Sequence, residues 1–337
     1  MVRSAYVKVP FQFEIRDVKL RRIGINDALI KIKACGICGT DLHTSSWEAK
    51  DWSPFGHEIT GIVEKTGINV THVKPGDRVA LESGSFCGIC STCHDGRVDL
   101  CNKARNIFAE AIMGFAEYIV VSKECLIPIG DMPFDEATLI EPMGVALDLF
   151  YTSGICLNDD VLVLGLGPIG LMALRFARLA GARKIYAADL SPYKKRFEVA
   201  KLYGADEIIH ADKTDVGDYK FDRGGVERII ISAPPKTIPS SLKAANFGGT
   251  VAFLGIEYGP GAKISFDANE FHFKKLSLKA SFAAPALYFH RCIDILKSGA
   301  VNIKPLITNH FKLEEIGQAI INVRDNKENV IKSIMMN

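Results

Sequence analysis

Cysteines 87, 90, 93 and 101 place four thiols on one short stretch, in the pattern Cys87-x2-Cys90-x2-Cys93-x7-Cys101. Thiolates are soft ligands, and four of them this close suit a closed tetrahedral zinc site. Gly88 and Gly96 allow the tight turns that such wrapping needs. An iron–sulfur cluster and a set of packed free thiols are the other readings of the pattern. A metal whose four positions are all filled by protein has none left for substrate, so the role expected here is structural.

Two other groupings have chemistry of their own. Cys35-Gly36-Ile37-Cys38-Gly39-Thr40-Asp41-Leu42-His43, followed by Gly56-His57-Glu58, offers a thiolate, an imidazole and a carboxylate. Gly165-Leu166-Gly167-Pro168-Ile169-Gly170 fits G-x-G-x-x-G between an expected strand at 161–164 and an expected helix at 169–180. In that context the glycines let backbone approach a pyrophosphate held by N–H groups at the helix start. Asp189 ends the next expected strand, nineteen residues past Gly170. A carboxylate there accepts hydrogen bonds from the adenosine ribose and repels a 2′-phosphate, which favours NAD over NADP. Lys194, Lys195 and Arg196 follow closely and keep NADP open, since a cation can accept that phosphate.

The elements that must position these residues fall into three blocks. Residues 1–145 hold short β-type runs at 29–32, 59–63, 78–81 and 117–121, separated by turn signals such as Lys74-Pro75-Gly76-Asp77. Residues 146–284 alternate strands (161–164, 184–190, 228–232, 251–255, 276–282) with helices (169–180, 192–203), as a doubly wound parallel sheet does. Helical signal is weak across 206–227, so a loop crossover is expected there. Residues 285–337, with a helical run at 287–297 and a charged helical end, are too short for a domain and are expected to pack back on the first block.

Composition bounds the partners. Of 337 residues, 48% are hydrophobic and 24% charged, a globular balance, and the net charge of +2 argues against nucleic acid or an anionic membrane as the main partner. The most apolar stretch, 161–174, is interrupted by three glycines and a proline and falls short of the roughly 20 residues of a membrane helix. No apolar core follows Arg3 and Lys8, so a cytoplasmic protein is expected. Clustered cysteines in a large chain of this kind more often hold metal than disulfides.

With Gly114-Phe115-Ala116-Glu117-Tyr118 and Glu141-Pro142 added, the sequence resembles the zinc-dependent medium-chain alcohol and polyol dehydrogenases over essentially its whole length. The sorbitol and threonine dehydrogenase branch is the most similar, because Glu58 directly follows His57. The resemblance implies an α/β chain: a mainly β, GroES-like catalytic domain at 1–145 completed by 285–337, and a Rossmann NAD-binding domain at 146–284. It implies two zinc ions. Cys87, Cys90, Cys93 and Cys101 would hold a structural one. Cys38, His57 and Glu58 would hold a catalytic one, with Glu141 a fourth, exchangeable ligand or one water away. Asp41 would accept a hydrogen bond from the His57 ring, and Cys35 would be a packed thiol. Gly165, Gly167, Pro168, Ile169, Gly170, Asp189 and Lys194 would bind the dinucleotide.

The implied reaction moves hydride between a secondary alcohol and NAD(P) through a zinc-bound alkoxide, with Thr40 bonding the alcohol and His43 passing its proton to solvent. The implied substrate is a polyol, sugar alcohol or cyclitol, or the matching ketone. An amino alcohol, amino-cyclitol or hydroxy amino acid is the alternative. Ala283-Ala284-Pro285 stands where sorbitol dehydrogenases carry an Arg–Tyr pair, and the stretch from Cys101 to Gly114 is short, so sorbitol itself is disfavoured. Trp47, Phe108 and Glu110 are candidate pocket residues, and Glu110 offers a carboxylate to an amino group. The resemblance also implies a homodimer or homotetramer, with 276–282 a candidate contact. Two readings from other classes are a zinc-ribbon nucleic-acid binder and a zinc- and NAD-binding protein without turnover. The first lacks a strongly basic loop, and the second sits poorly with intact Cys38, Thr40, His43, His57 and Glu58.

Overall fold

The computed structural model describes residues 1–257 and 260–337, without the side chains of Arg105 and Pro260. The chain divides into two compact units: Met1–Gly144 with Ala283–Asn337, and Val145–Phe282.

The first unit is built on a sheet whose order runs Leu126–Pro128, Arg78–Leu81, Glu58–Thr66, Asp27–Gly36, Lys332–Met336, Ile307–Phe311, with Tyr118–Ser122 also paired to Asp27–Gly36. Val2–Lys8 lies between Gln12–Val18 and Ser53–Pro54 in a second, three-stranded sheet. Ile30 and Ile32 reach the interior from the alternating pattern of Asp27–Gly36, and Leu81 and Phe115 join them there, all fully buried. The C-terminal segment returns to this unit as expected, with the helices Phe289–Lys297 and Ile316–Asp325 where helical signal was read and two further strands, Ile307–Phe311 and Lys332–Met336, that were not expected. Lys332–Met336 pairs antiparallel with Asp27–Gly36, placing Ile334 opposite Gly36. Nearly all of this strand is buried, so it shows no polar–apolar alternation to announce it.

The second unit is a six-stranded parallel sheet in the order Glu207–His210, Lys184–Asp189, Asp160–Leu164, Val226–Ile231, Ala245–Phe253, Ser277–Ala280. This is the doubly wound arrangement, with the chain reversing direction on either side of Asp160–Leu164. Every residue of that strand is buried, which is why it reads as an unbroken apolar run. The crossover between His210 and Val226 contains no helix, as its sequence indicated. The four-residue strand Glu207–His210 and the helix Ile238–Ala244 are additions, too short to leave a period in the sequence.

Candidate active site

Cys38 caps the short helix Gly39–His43, and Asp41 completes the cap by accepting the Cys38 N–H at 2.8 Å. The other Asp41 oxygen accepts the N–H of Gly56 at 3.1 Å. One buried carboxylate thus ties together the backbone on either side of the two groupings read from the sequence, and draws Cys38 and His57 to one place. The expected hydrogen bond from His57 to Asp41 is not made: Nδ1 is 3.9 Å from Oδ1 and is buried without a hydrogen-bond partner. The Asp41 oxygens are aimed at these two backbone donors.

The His57 ring lies in the field of the Cys38 sulfur. Burial disfavours a charged imidazole, yet Cys38, then Glu141 and Asp41, outweigh it and hold His57 well above its ordinary range. Negative groups thus converge on His57. A thiolate, an imidazole and a carboxylate are the donor set that a zinc cation satisfies. Thr40 Oγ1 lies 3.7 Å from Cys38 Sγ on an exposed turn, and His43 ends the same helix, half-buried.

The two glutamates part company. Glu141, in the first turn of the helix Ile140–Ser153, accepts a hydrogen bond from the Ser83 hydroxyl at 3.3 Å. Burial pushes its carboxyl up, and His57 opposes that push. Glu58 is fully buried, and both of its oxygens are held by Lys332 Nζ, at 2.6 and 2.7 Å. Of the ligand set expected from the sequence, Cys38 and His57 meet, with Glu141 acting on the His57 ring, while Glu58 is bound to an ammonium that the sequence did not advertise. Cys35 is a buried thiol packed where a Cβ on Gly56 or Gly114 would strike its sulfur.

The ligating atoms of Cys87, Cys90, Cys93 and Cys101 lie within 4.8 Å of one another, and among the described residues they alone form a group of three or more that close. The Cys90 sulfur is 3.5 Å from that of Cys93 and 3.9 Å from that of Cys101. A zinc–sulfur bond of about 2.3 Å in a tetrahedron requires sulfurs about 3.8 Å apart. Gly88 and Gly96 adopt φ +71° and +75°, the left-handed turns that wrap the loop. Hydrogen bonds, first from the Thr92 hydroxyl and then from backbone at Cys93, bring the Cys90 thiol down to about 6, favouring the thiolate a metal needs.

In the second unit, Gly165 turns the chain at φ +91° out of Asp160–Leu164, and Gly167 caps the helix Pro168–Leu179. Pro168 at its first position gives up only an N–H that the helix leaves unpaired. A Cβ on Gly170 would sit 1.9 Å from the Gly165 carbonyl oxygen, whereas one on Gly167 would meet nothing within 4 Å. Gly170 is therefore required by the fold, and Gly167 leaves a cradle that suits a phosphate. Asp189 accepts the N–H of Leu166 inside the turn and that of Leu190, each at 2.8 Å. Arg196 Nη1 lies 3.4 Å from Asp189, and its guanidinium stacks on the Tyr193 ring. Lys194 is exposed on the first turn of the helix Lys194–Tyr203, so the cation beside Asp189 is Arg196.

The Alcohol dehydrogenase GroES-like domain family matches residues 24–131, and the Zinc-binding dehydrogenase family matches residues 168–298. The L-threonine 3-dehydrogenase of Chromobacterium violaceum is 33% identical over 332 residues, covering 94% of this chain and 95% of that protein. The chain belongs to the zinc-binding alcohol dehydrogenases. Among solved structures, a zinc-binding dehydrogenase of Sinorhizobium meliloti 1021 bound to NADP is 29% identical with a TM-score of 0.87, covering 100% of this chain and 99% of that one. An alcohol dehydrogenase of E. coli CFT073 complexed with NADH is 26% identical with a TM-score of 0.90, at the same coverage. This dehydrogenase is accordingly a zinc-dependent oxidoreductase that acts on CH–OH groups with a nicotinamide cofactor. No described helix is long and apolar enough to cross a membrane.

Beside His57 in this dehydrogenase, the Phe108 ring is half exposed and its centroid lies 5.3 Å from that of the imidazole. Trp47 is exposed on the turn after His43, with the Lys50 ammonium over its ring. Glu110, offered by the sequence to an amino group, is instead bound by Arg21 at 3.0 Å. Two residues that the sequence reading passed over, Lys332 and Ser83, contact the site's glutamates. Ser83 follows a strand that packs beside Glu58–Thr66, a proximity that only sheet pairing creates.

Proposed function

We propose that Cys38, His57 and Glu141 hold a catalytic zinc, and that the enzyme oxidises a neutral secondary alcohol, a polyol or cyclitol, with NAD. The observation that supports this is the convergence of Cys38, Glu141 and Asp41 on the buried His57 ring, while Glu58 is engaged by Lys332. Bound zinc supplies Lewis-acid polarisation of the substrate hydroxyl. Thr40 Oγ1, beside the Cys38 sulfur, takes the hydroxyl proton, and His43 passes it to solvent. A bound nicotinamide cofactor would supply the hydride acceptor, so that the carbinol becomes a ketone. Phe108 gives the site an apolar wall against His57.

The four-cysteine loop holds the second, structural zinc. Gly165, Gly167, Pro168, Ile169 and Gly170 seat the pyrophosphate, and Asp189 takes the adenosine ribose. Asp189 is already ordered for this by the Leu166 and Leu190 N–H groups, which supports NAD; Arg196 at its side keeps NADP usable. The protein works in the cytoplasm as a homodimer or homotetramer. A second reading, oxidation of a hydroxy amino acid, is favoured by the threonine dehydrogenase relatives. The engagement of Glu110 by Arg21 removes one carboxylate that would have met the amino group.

Metal analysis and a substrate panel test the reading together. Two zinc ions per chain, with reduced nicotinamide formed from polyols or cyclitols and NAD, is the expected result. L-Threonine turning over faster than any polyol would replace the neutral-alcohol assignment. One zinc and no turnover of any alcohol would overturn the reading itself.

A further inference from the structure

Phe108 meets the His57 ring from a single helical turn, Ile107–Ala109, on the stretch between Cys101 and Gly114. The turn is pinned at both ends. The Ile107 N–H donates to the Ser83 carbonyl at 3.0 Å, and the Glu110 N–H closes the turn on the Ile107 carbonyl at 3.1 Å. Arg21 then grips the Glu110 carboxylate, its Nε at 3.0 Å. Arg21 is itself fastened to the main sheet: its guanidinium donates to Asp27 at 2.5 and 3.3 Å and to the Val120 carbonyl at 3.1 Å. Asp27 and Val120 lie on paired strands, so one side chain ties the sheet to the turn that carries Phe108. Packing alone does not hold the turn. A cleft of about 350 Å³ opens there, lined by Ile107, Ala109 and Glu110 from the turn and by Val121 and Ser122 from the strand Tyr118–Ser122. A close-packed interior has no void of that size, so the hydrogen bonds and the ion pair set where the turn sits.

The half-exposed Phe108 ring offers a flat apolar face beside the site. The C–H groups of a ring-shaped polyol gather on such a face, whereas an extended chain presents them interleaved with its hydroxyls. We propose that Arg21 is a positioning residue for substrate selection, holding Phe108 at the His57 ring so that the enzyme prefers cyclic polyols to acyclic ones. This rests on the reading that the substrate hydroxyl is bound at Cys38, His57 and Glu141. The grip is light. Its partners are 37% and 31% exposed, and an ion pair of that exposure shifts an equilibrium by about 2- to 5-fold. Salt screens it further. Phe108 makes the contact itself, so its removal has the larger effect.

The test uses the full-length, zinc-loaded enzyme with NAD and a matched pair of alcohols, inositol and mannitol, a ring and a chain of equal carbon number. Glu110→Gln removes the ion pair and leaves Arg21 its bonds to Asp27 and Val120. It is expected to raise the KM for inositol about 2- to 5-fold with kcat unchanged, and to leave the KM for mannitol where it is. Phe108→Ala is expected to raise the inositol KM about tenfold, and adding Glu110→Gln to it to change nothing further. A readout without substrate comes from Phe108→Trp: acrylamide quenching of the indole at position 108, above that of Trp47 and Trp52, is expected to rise when Glu110→Gln is added. An unchanged inositol KM in Glu110→Gln, unchanged quenching, or turnover of mannitol alone overturns the proposal and leaves the reading of the site standing. No turnover of either alcohol overturns the neutral-polyol reading, and the proposal falls with it.

Discussion

Gly167→Ala separates what the Gly-rich turn needs for folding from what it needs for the cofactor. Gly167 has φ −67° and ψ 179°, a conformation open to any residue, and a Cβ there meets nothing within 4 Å. Alanine should therefore stabilise the free protein by about 0.4–1 kcal/mol, through the reduced freedom of the unfolded chain. In the complex the added methyl occupies the cradle. Overpacking of this kind costs about 1–3 kcal/mol. At about 1.4 kcal/mol per tenfold, NADH affinity should drop roughly 5- to 150-fold. Gly170→Ala behaves differently. Its Cβ is 1.9 Å from the Gly165 oxygen and ordinary contact begins at 3.4 Å, so the turn must open by 1.5 Å, the difference, before any ligand arrives. This variant should lose thermal stability and NADH binding together. Fluorescence titration with NADH and a thermal melt on the same samples measure both quantities. Wild-type NADH affinity in Gly167→Ala would refute the placement of the pyrophosphate against that glycine.

Three further outcomes are expected. Cys90→Ser should lower the zinc content from two to one and depress Tm, with turnover persisting below the melt, while His57→Ala should abolish turnover with little change in Tm; atomic absorption and calorimetry on both variants check this, and the reverse pattern would exchange the two sites. Thr40→Val should retain both zinc ions and lose about 10²- to 10⁴-fold in turnover, the range for a lost proton-transfer group; near-normal turnover with zinc intact would remove Thr40 from the proton path. Glu82 is buried, and its carboxyl is pushed up to about 7 from 4.5 by burial, against a hydrogen bond to Ser85. A folded-state pKa raised above the unfolded one gives stability that is complete below about 4.5 and lost as pH rises through about 7. The 2.5-unit difference corresponds to about 3 kcal/mol. Glu82→Gln should thus stabilise the protein by about that amount at pH 8 and by little at pH 4.5, as denaturant melts at the two values will show; an equal effect at both would refute it.

Much of the site was legible because its parts are local. Cys87 to Cys101 lie on one loop, so their spacing nearly dictates their geometry. The Gly-rich turn is likewise a strand, a turn and a helix read in order. Partners distant in sequence left no local signal. Glu58, expected at the metal because it follows His57, also meets Lys332, 274 residues away. Asp41 was assigned to the His57 ring, and its oxygens serve the backbone of Cys38 and Gly56. Of the three cations that follow Asp189, namely Lys194, Lys195 and Arg196, the helix brings Arg196 round to the strand end.

Residue type and spacing alone determined the donor chemistry, the dinucleotide turn and the alternation of strand and helix, because each depends on neighbours a few residues apart. Tertiary structure alone decided that Glu58 meets an ammonium while Glu141 meets the Ser83 hydroxyl. The C-terminal strand brings Lys332 to Glu58 only by pairing with Asp27–Gly36, a contact between residues too far apart for local spacing to encode.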